Sequence, residues 1–239
     1  MLTKNQINNF ISEIENAYQN EPHLITEDTI RALLIKAMNV NLLDIEIEVP
    51  YVVNSSKKIK GKKTNTPVIV SNPTWFNSER NRADIYYYST TIDNGCDLCE
   101  TRPIADDDMV IEVKYHRETP YSANCTTSKA GSVFNDLNRL SVIDNKQKFF
   151  VYVFDKTMKT YFDNVSRQFT DILKENAQNQ TFTIDAKYDK MPQDAKNNAF
   201  RSFVVDSFSA FHTYQVKIIS YNMRSVNAQQ FNCVIVQVL

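Results

Sequence analysis

The sequence predicts an α/β fold in which a mixed central β-sheet is flanked by helices. Two observations carry this expectation. Runs rich in β-branched and aromatic residues recur along the chain, and between them lie segments whose apolar residues return every three or four positions. The order strand, helix, strand across Met109 to Phe154 adds a third.

The elements follow in order. Ile7, Phe10, Ile11, Ile14, Ala17 and Tyr18 line one face of a first helix, which Glu21-Pro22 ends. Thr26 is placed to cap a second helix, with Glu27 and Asp28 in its first turn and Ile30, Leu33, Leu34, Ala37 and Met38 along its buried side. Ile45 to Val53 and Pro67 to Ser71 read as the arms of a hairpin whose tip carries Lys57, Lys58, Lys60, Lys62 and Lys63, five lysines in seven residues. Ala83 to Ser89 and Met109 to His116 read as two further strands. Val133, Phe134, Leu137, Leu140 and Ser141 then give a helix, and Lys148 to Phe154 a strand. Met158 to Leu173 carries a long amphipathic stripe read as one helix. Phe182 to Phe211 has no clear pattern, and Tyr214 to Tyr221 and Phe231 to Leu239 read as strands joined by Asn222 to Gln230.

At 239 residues, 42% hydrophobic and 23% charged, the chain has material for one large domain, and no repeat or linker marks a boundary. A single domain over 1–239 is therefore expected. The net charge of −1 does not advertise an anionic partner, so any nucleic-acid site must be local. No apolar run reaches the roughly 20 residues a membrane helix needs. Four scattered cysteines and no recognisable signal segment are read as a cytoplasmic protein with reduced thiols. Cys96-Asp97-Leu98-Cys99 has the spacing of half a zinc site, but no second pair completes it, so zinc is not expected.

The chemistry is concentrated in two strands. Along Met109 to His116 side chains alternate between faces, which puts Glu112 and Lys114 side by side, followed by His116. Charged groups on a central strand are costly unless they pair or hold a metal. An antiparallel partner strand would bring Asp84 to Glu112, and two carboxylates with the Val113 carbonyl suit a hard cation such as Mg²⁺. The plainer alternative is an exposed strand face whose Glu112–Lys114 pair is worth about 0–1 kcal/mol. Asp136 and Arg139, three apart on a helix, read as a local ion pair. Tyr86, Tyr87 and Tyr88 alternate between faces, with Tyr87 expected on that of the catalytic groups.

Arg82-Ala83-Asp84-Ile85-Tyr86 followed by Ile111-Glu112-Val113-Lys114-Tyr115 resembles the PD-(D/E)XK nuclease superfamily, with Ala83 in place of a proline that contributes no ligand. The resemblance covers about residues 26–155 and implies a restriction-endonuclease-like core, with 156–239 supplying a helix and C-terminal strands that complete or extend it. It further implies a Mg²⁺-dependent deoxyribonuclease of restriction or phage-defence type, often a homodimer, in which Asp84 and Glu112 hold the metal and Lys114 orients or deprotonates the attacking water. Glu27, with Asp28 as its rival, matches the acidic residue on the preceding helix. The lysine tract reads either as a solvated loop or, where it projects beside the site, as a track for a nucleic-acid backbone. The reading from another class is a catalytically inactive subunit of a nucleic-acid-processing assembly that keeps the fold.

Overall fold

The structure is a computed structural model that describes residues 2–50, 52–53, 74–75, 82–89, 107–117, 126–141, 147–164, 171–185 and 213–239. Helix α1 (Lys4–Asn20) starts at Thr3, whose hydroxyl accepts the Gln6 amide while the Gln6 side chain accepts from Thr3 N. Helix α2 (Glu27–Met38) starts in the same way at Thr26 with Thr29 and ends at Asn39, which takes the left-handed conformation at φ 51°. The remaining elements are β1 (Ile45–Pro50), β2 (Val52–Val53), β3 (Thr74–Trp75), β4 (Arg82–Tyr87), β5 (Met109–His116), α3 (Thr126–Ser141), β6 (Gln147–Asp155), α4 (Lys156–Asn164), β7 (Thr181–Asp185), β8 (Thr213–Val226) and β9 (Gln229–Val238).

Among the described residues, seven strands form one mixed sheet in the order β1-β4-β5-β6-β9-β8-β7. Of these only β5 and β6 run parallel, Met109 opposite Gln147 through His116 opposite Phe154, and the chain between them passes through α3 as a parallel connection requires. Both faces of the sheet are covered. Phe150, Tyr152 and Phe154 of β6 and Val234, Val236 and Val238 of β9 pack with Val133, Leu137, Met158 and Phe162 of α3 and α4. On the other face Phe149, Val151 and Val153 pack with Phe231, Cys233 and Ile235 and with Phe10, Ile14, Ile30 and Leu34 of α1 and α2. That double burial explains why the middle of each strand, Phe149 to Phe154 in β6 and Cys233 to Val236 in β9, is apolar at every position.

Several expectations are corrected. The expected partner of Ile45–Pro50, Pro67 to Ser71, lies outside the described residues, and the described partner is a different strand. Ile45–Pro50 lies antiparallel to β4, with Ile47 opposite the fully buried Ile85, and Val52 and Val53 pair separately with Trp75 and Thr74. Residues 67–71, the five tract lysines, Cys96, Cys99 and Cys125 lie outside the described residues. The long helix of 158–173 is a helix only to Asn164 in its described part. Ile172 and Leu173 reach the core from a 3-10 turn, because any backbone that aims them inward satisfies the same apolar spacing. The patternless region contributes β7. The expected 222–230 connection is mostly ladder, since β8 and β9 continue to a two-residue turn at Asn227-Ala228, both at positive φ. No helix among the described residues is long and apolar enough to cross a membrane.

Ala228 adopts φ 63°, where a Cβ is crowded. Ala228→Gly should therefore raise stability by about 0.5–1 kcal/mol in denaturant titrations, because the relieved crowding exceeds glycine's extra chain entropy. An unchanged or lower midpoint would contradict this account of the turn.

Candidate active site

The β4–β5 ladder is short. It pairs Ile85 with Ile111, Tyr86 with Val110 and Tyr87 with Met109, and the next position of that register sets Asp84 opposite Glu112. Its other end is pinned by Asp108, which accepts from Ser89 N at 2.7 Å, Ser89 Oγ at 2.9 Å and the Tyr86 hydroxyl at 3.2 Å. Beyond the ladder, β5 runs on with only β6 beside it among the described strands, so its amides on the β4 side need other acceptors. Two carboxylates supply them. Asp84 Oδ2 accepts Val113 N at 2.6 Å, and Glu27 Oε2 accepts Tyr115 N at 3.1 Å. A residue's amide and carbonyl point to the same side of a strand, so the Val113 carbonyl also turns toward Asp84.

Side-chain alternation in β5 follows the expected pattern. Met109, Ile111 and Val113 join the core under α1 and α2, while Val110 joins the core under α3 and α4, and Glu112 and Lys114 share the face of Val110. Neither sits on an open strand face. Glu112 is 1% exposed and the Lys114 side chain 20%, which removes the reading of a solvated surface pair. Tyr86, not Tyr87, shares the face of the charged groups, and Tyr87 packs on the opposite core.

Lys114 is the hub. Its Nζ lies 3.4 Å from Glu27 Oε2 in the first turn of α2 and 3.4 Å from Asp136 Oδ2 on α3. Burial alone would push the ammonium's pKa down; Asp136 first, then Glu27, Asp84 and Glu112, overturn that and hold it above its ordinary value. Lys114 is thus a fixed cation at neutral pH. Asp84 is pushed up to about 6 by burial, against the opposing pull of the Val113 amide and the Arg31 guanidinium. Arg31 Nη2 meets Asp84 Oδ1 at 2.6 Å, and its Nη1 lies 3.1 Å from Asp28 and 3.2 Å from Glu48.

The structure thus brings together Asp84, Glu112, Lys114 and Glu27, the four residues singled out from the sequence. Of the two rivals on α2, Glu27 reaches Lys114, whereas Asp28 points outward to Arg31. Asp136 and Arg31 are members of the cluster that sequence reasoning does not reach. The described cation of Asp136 is Lys114, and the side chain of Arg139 lies outside the described ones. Asp136 falls three after Val133 and four before Leu140, inside the apolar stripe of α3, and a carboxylate there is the available signal. His116 Nδ1 lies 2.9 Å from the Tyr152 hydroxyl, and burial, then Lys114 and Lys129, lower its pKa to about 3. The ring is therefore held neutral beside the tyrosine.

Among the described residues no three His, Cys, Asp or Glu side chains stand together as a ready cage for a metal ion. Mg²⁺ is ordinarily held by only one or two carboxylates with water and substrate phosphate completing its shell. Asp84 and Glu112, hard oxygen donors that the register sets at opposite positions just past the end of the ladder, fit that demand in chemistry.

Comparison with known proteins gives no match to a family model, to a curated protein or to a solved structure. The functional assignment of the site therefore rests on its residues.

In a ¹H–¹³C NMR pH titration the His116 ring should show no midpoint near 6.5 and should remain neutral down to about pH 3. Since the unfolded chain takes up that proton near 6.5, the neutral ring's contribution to stability is present above that pH and lost as pH falls from there toward 3. An ordinary imidazole titration between pH 6 and 7, assigned with a His116→Asn control, would refute the buried tyrosine pairing.

Proposed function

We propose that this chain is a Mg²⁺-dependent DNA endonuclease with a restriction-endonuclease-like core, acting in restriction or phage defence. The observation that carries the reading is the convergence of Asp84, Glu112, Lys114 and Glu27, drawn from three elements to one end of the β4–β5 ladder. The ladder itself, the helix before it and the α3 crossover to β6 are the elements the superfamily resemblance leads one to expect.

Asp84 and Glu112 would hold the ion, with the Val113 carbonyl on the same side. When bound, Mg²⁺ acidifies coordinated water and neutralises charge on the phosphate. Lys114 is held charged by its carboxylates, so it donates hydrogen bonds: it orients the attacking water and stabilises the developing phosphate charge, and it does not take up the proton. Glu27 and Asp136 fix the ammonium in place, and Glu27 also fixes the β5 backbone at Tyr115. DNA is the substrate, and a homodimer would place two such sites on the two strands of a duplex. The tract Lys57 to Lys63 is the sequence feature best suited to track the phosphate backbone.

Plasmid DNA incubated with the protein in Mg²⁺ should be cut, and EDTA should stop it. Glu112→Gln, which keeps the buried shape, should lower the rate by about 100-fold or more while the circular dichroism stays native, and Lys114→Gln should lower it as far and also lower stability, since it removes the cation shared by Glu27 and Asp136. A folded Glu112→Gln protein cutting at the parental rate would sink the assignment, and a native chain that cuts no duplex, single strand or RNA would belong to the non-catalytic class.

A further inference from the structure

The shortest ion pair at the site involves a residue the nuclease reading does not use. Arg31 Nη2 lies 2.6 Å from Asp84 Oδ1, and the Arg31 side chain is 12% exposed, so the contact is largely shielded from water. The other Asp84 oxygen accepts the Val113 amide. Both oxygens of the carboxylate assigned to the metal are therefore already engaged, one by a full positive charge. We propose, building on the nuclease reading above, that Arg31 is a resident cation that competes with the divalent ion for Asp84, and that Asp28 and Glu48 retain its guanidinium when the ion displaces it.

Two features besides the contact support this. The guanidinium is forked: Nη1 is shared by Asp28 at 3.1 Å and Glu48 at 3.2 Å, so Arg31 can surrender Asp84 and still keep two anionic partners. Those partners are more exposed than Asp84, with side-chain exposures of 85% and 47% against 11%, so they stay accessible to the guanidinium once it leaves Asp84. The second feature is backbone strain. Glu48 is a non-glycine residue at φ 59° inside β1, at the position that the β1–β4 register sets opposite Asp84. Such a conformation is unfavourable for a residue with a Cβ, and strain of this kind gathers where a side chain must be delivered to a set place. What Glu48 delivers is a carboxylate to Arg31. The Arg31 Nε is buried without a hydrogen-bond partner among the described residues, so the guanidinium is held through its two terminal nitrogens alone.

Competition of this kind is reciprocal: whatever the guanidinium gains from Asp84, the ion must replace. The test measures metal binding directly. Mn²⁺ serves as the probe, its free aqua ion counted by electron paramagnetic resonance, with the full chain as wild type, Arg31→Gln, Arg31→Lys and Asp84→Asn. Arg31→Gln should bind Mn²⁺ about 10-fold more tightly than wild type, within the usual range of site coupling. Arg31→Lys, which keeps the charge and loses the fork, should tighten binding by a smaller factor, and Asp84→Asn should abolish it. Equal or weaker binding by Arg31→Gln, with wild type still binding, overturns the competition and leaves the nuclease reading standing. Should Arg31→Gln fail to fold, Arg31→Lys decides, and affinity no tighter than wild type overturns the proposal. Absence of Mn²⁺ binding in wild type and both Arg31 variants overturns both readings together.

Discussion

The Lys114 ammonium is the point on which the site and its frame depend. A lysine four-fifths withdrawn from water is costly by itself, and only carboxylates close at hand make it tolerable. Those carboxylates come from opposite layers. Glu27 belongs to the helix pair that covers one face of the sheet, and Asp136 to the helix that covers the other. One side chain on the central strand thus joins both helical layers at the end of the sheet, where apolar packing gives way to polar groups. An ammonium has three donors and no acceptor, so it can bind both helices at once without choosing between them.

The same place is defined by an interruption in the backbone pattern. Had the β4–β5 ladder continued past Ile85, the amides of Val113 and Tyr115 would have been consumed by a neighbouring strand and the carboxylates would have had no reason to enter. Because it stops, Asp84 and Glu27 act as side-chain substitutes for missing strand acceptors. Acidic groups are gathered there by ordinary hydrogen-bond satisfaction, and the Lys114 ammonium balances them. Burial outweighs the two good donors on Asp84, which is why that carboxyl keeps a raised proton affinity.

Much of this is legible in the residues. Two-residue alternation places Glu112 and Lys114 on one face, and a threonine cap followed by acidic residues places Glu27 at the start of α2; both are local rules that tertiary packing does not override. Asp136 is hidden because Arg139, three residues further along the same helix, offers a nearer partner, and spacing cannot say which layer a helix faces. Arg31 is hidden because its partners Glu48 and Asp84 are brought to it by pairing of β1 with β4, a contact between segments the sequence does not link. The stripe from Met158 to Leu173 misleads for a related reason: apolar spacing records where side chains go, and two backbone forms can send them there. The β8–β9 turn lacks the Asn-Gly signature such turns favour, so the sequence overstates the length of that loop.

The left-handed residue in β1 has one more effect. Among the described strands β1 forms a margin of the sheet, and a margin with a regular row of free amides and carbonyls invites a strand from another molecule. Ile47, half exposed, and the neighbouring Leu42 and Leu43, largely exposed, would add an apolar welcome. At Glu48 the chain turns out of the extended form. An incoming strand could match at most the few residues before the break. The geometry that carries a carboxylate to Arg31 therefore also blunts this margin as a template, and guards the exposed leucines beside it from drawing further copies into the sheet.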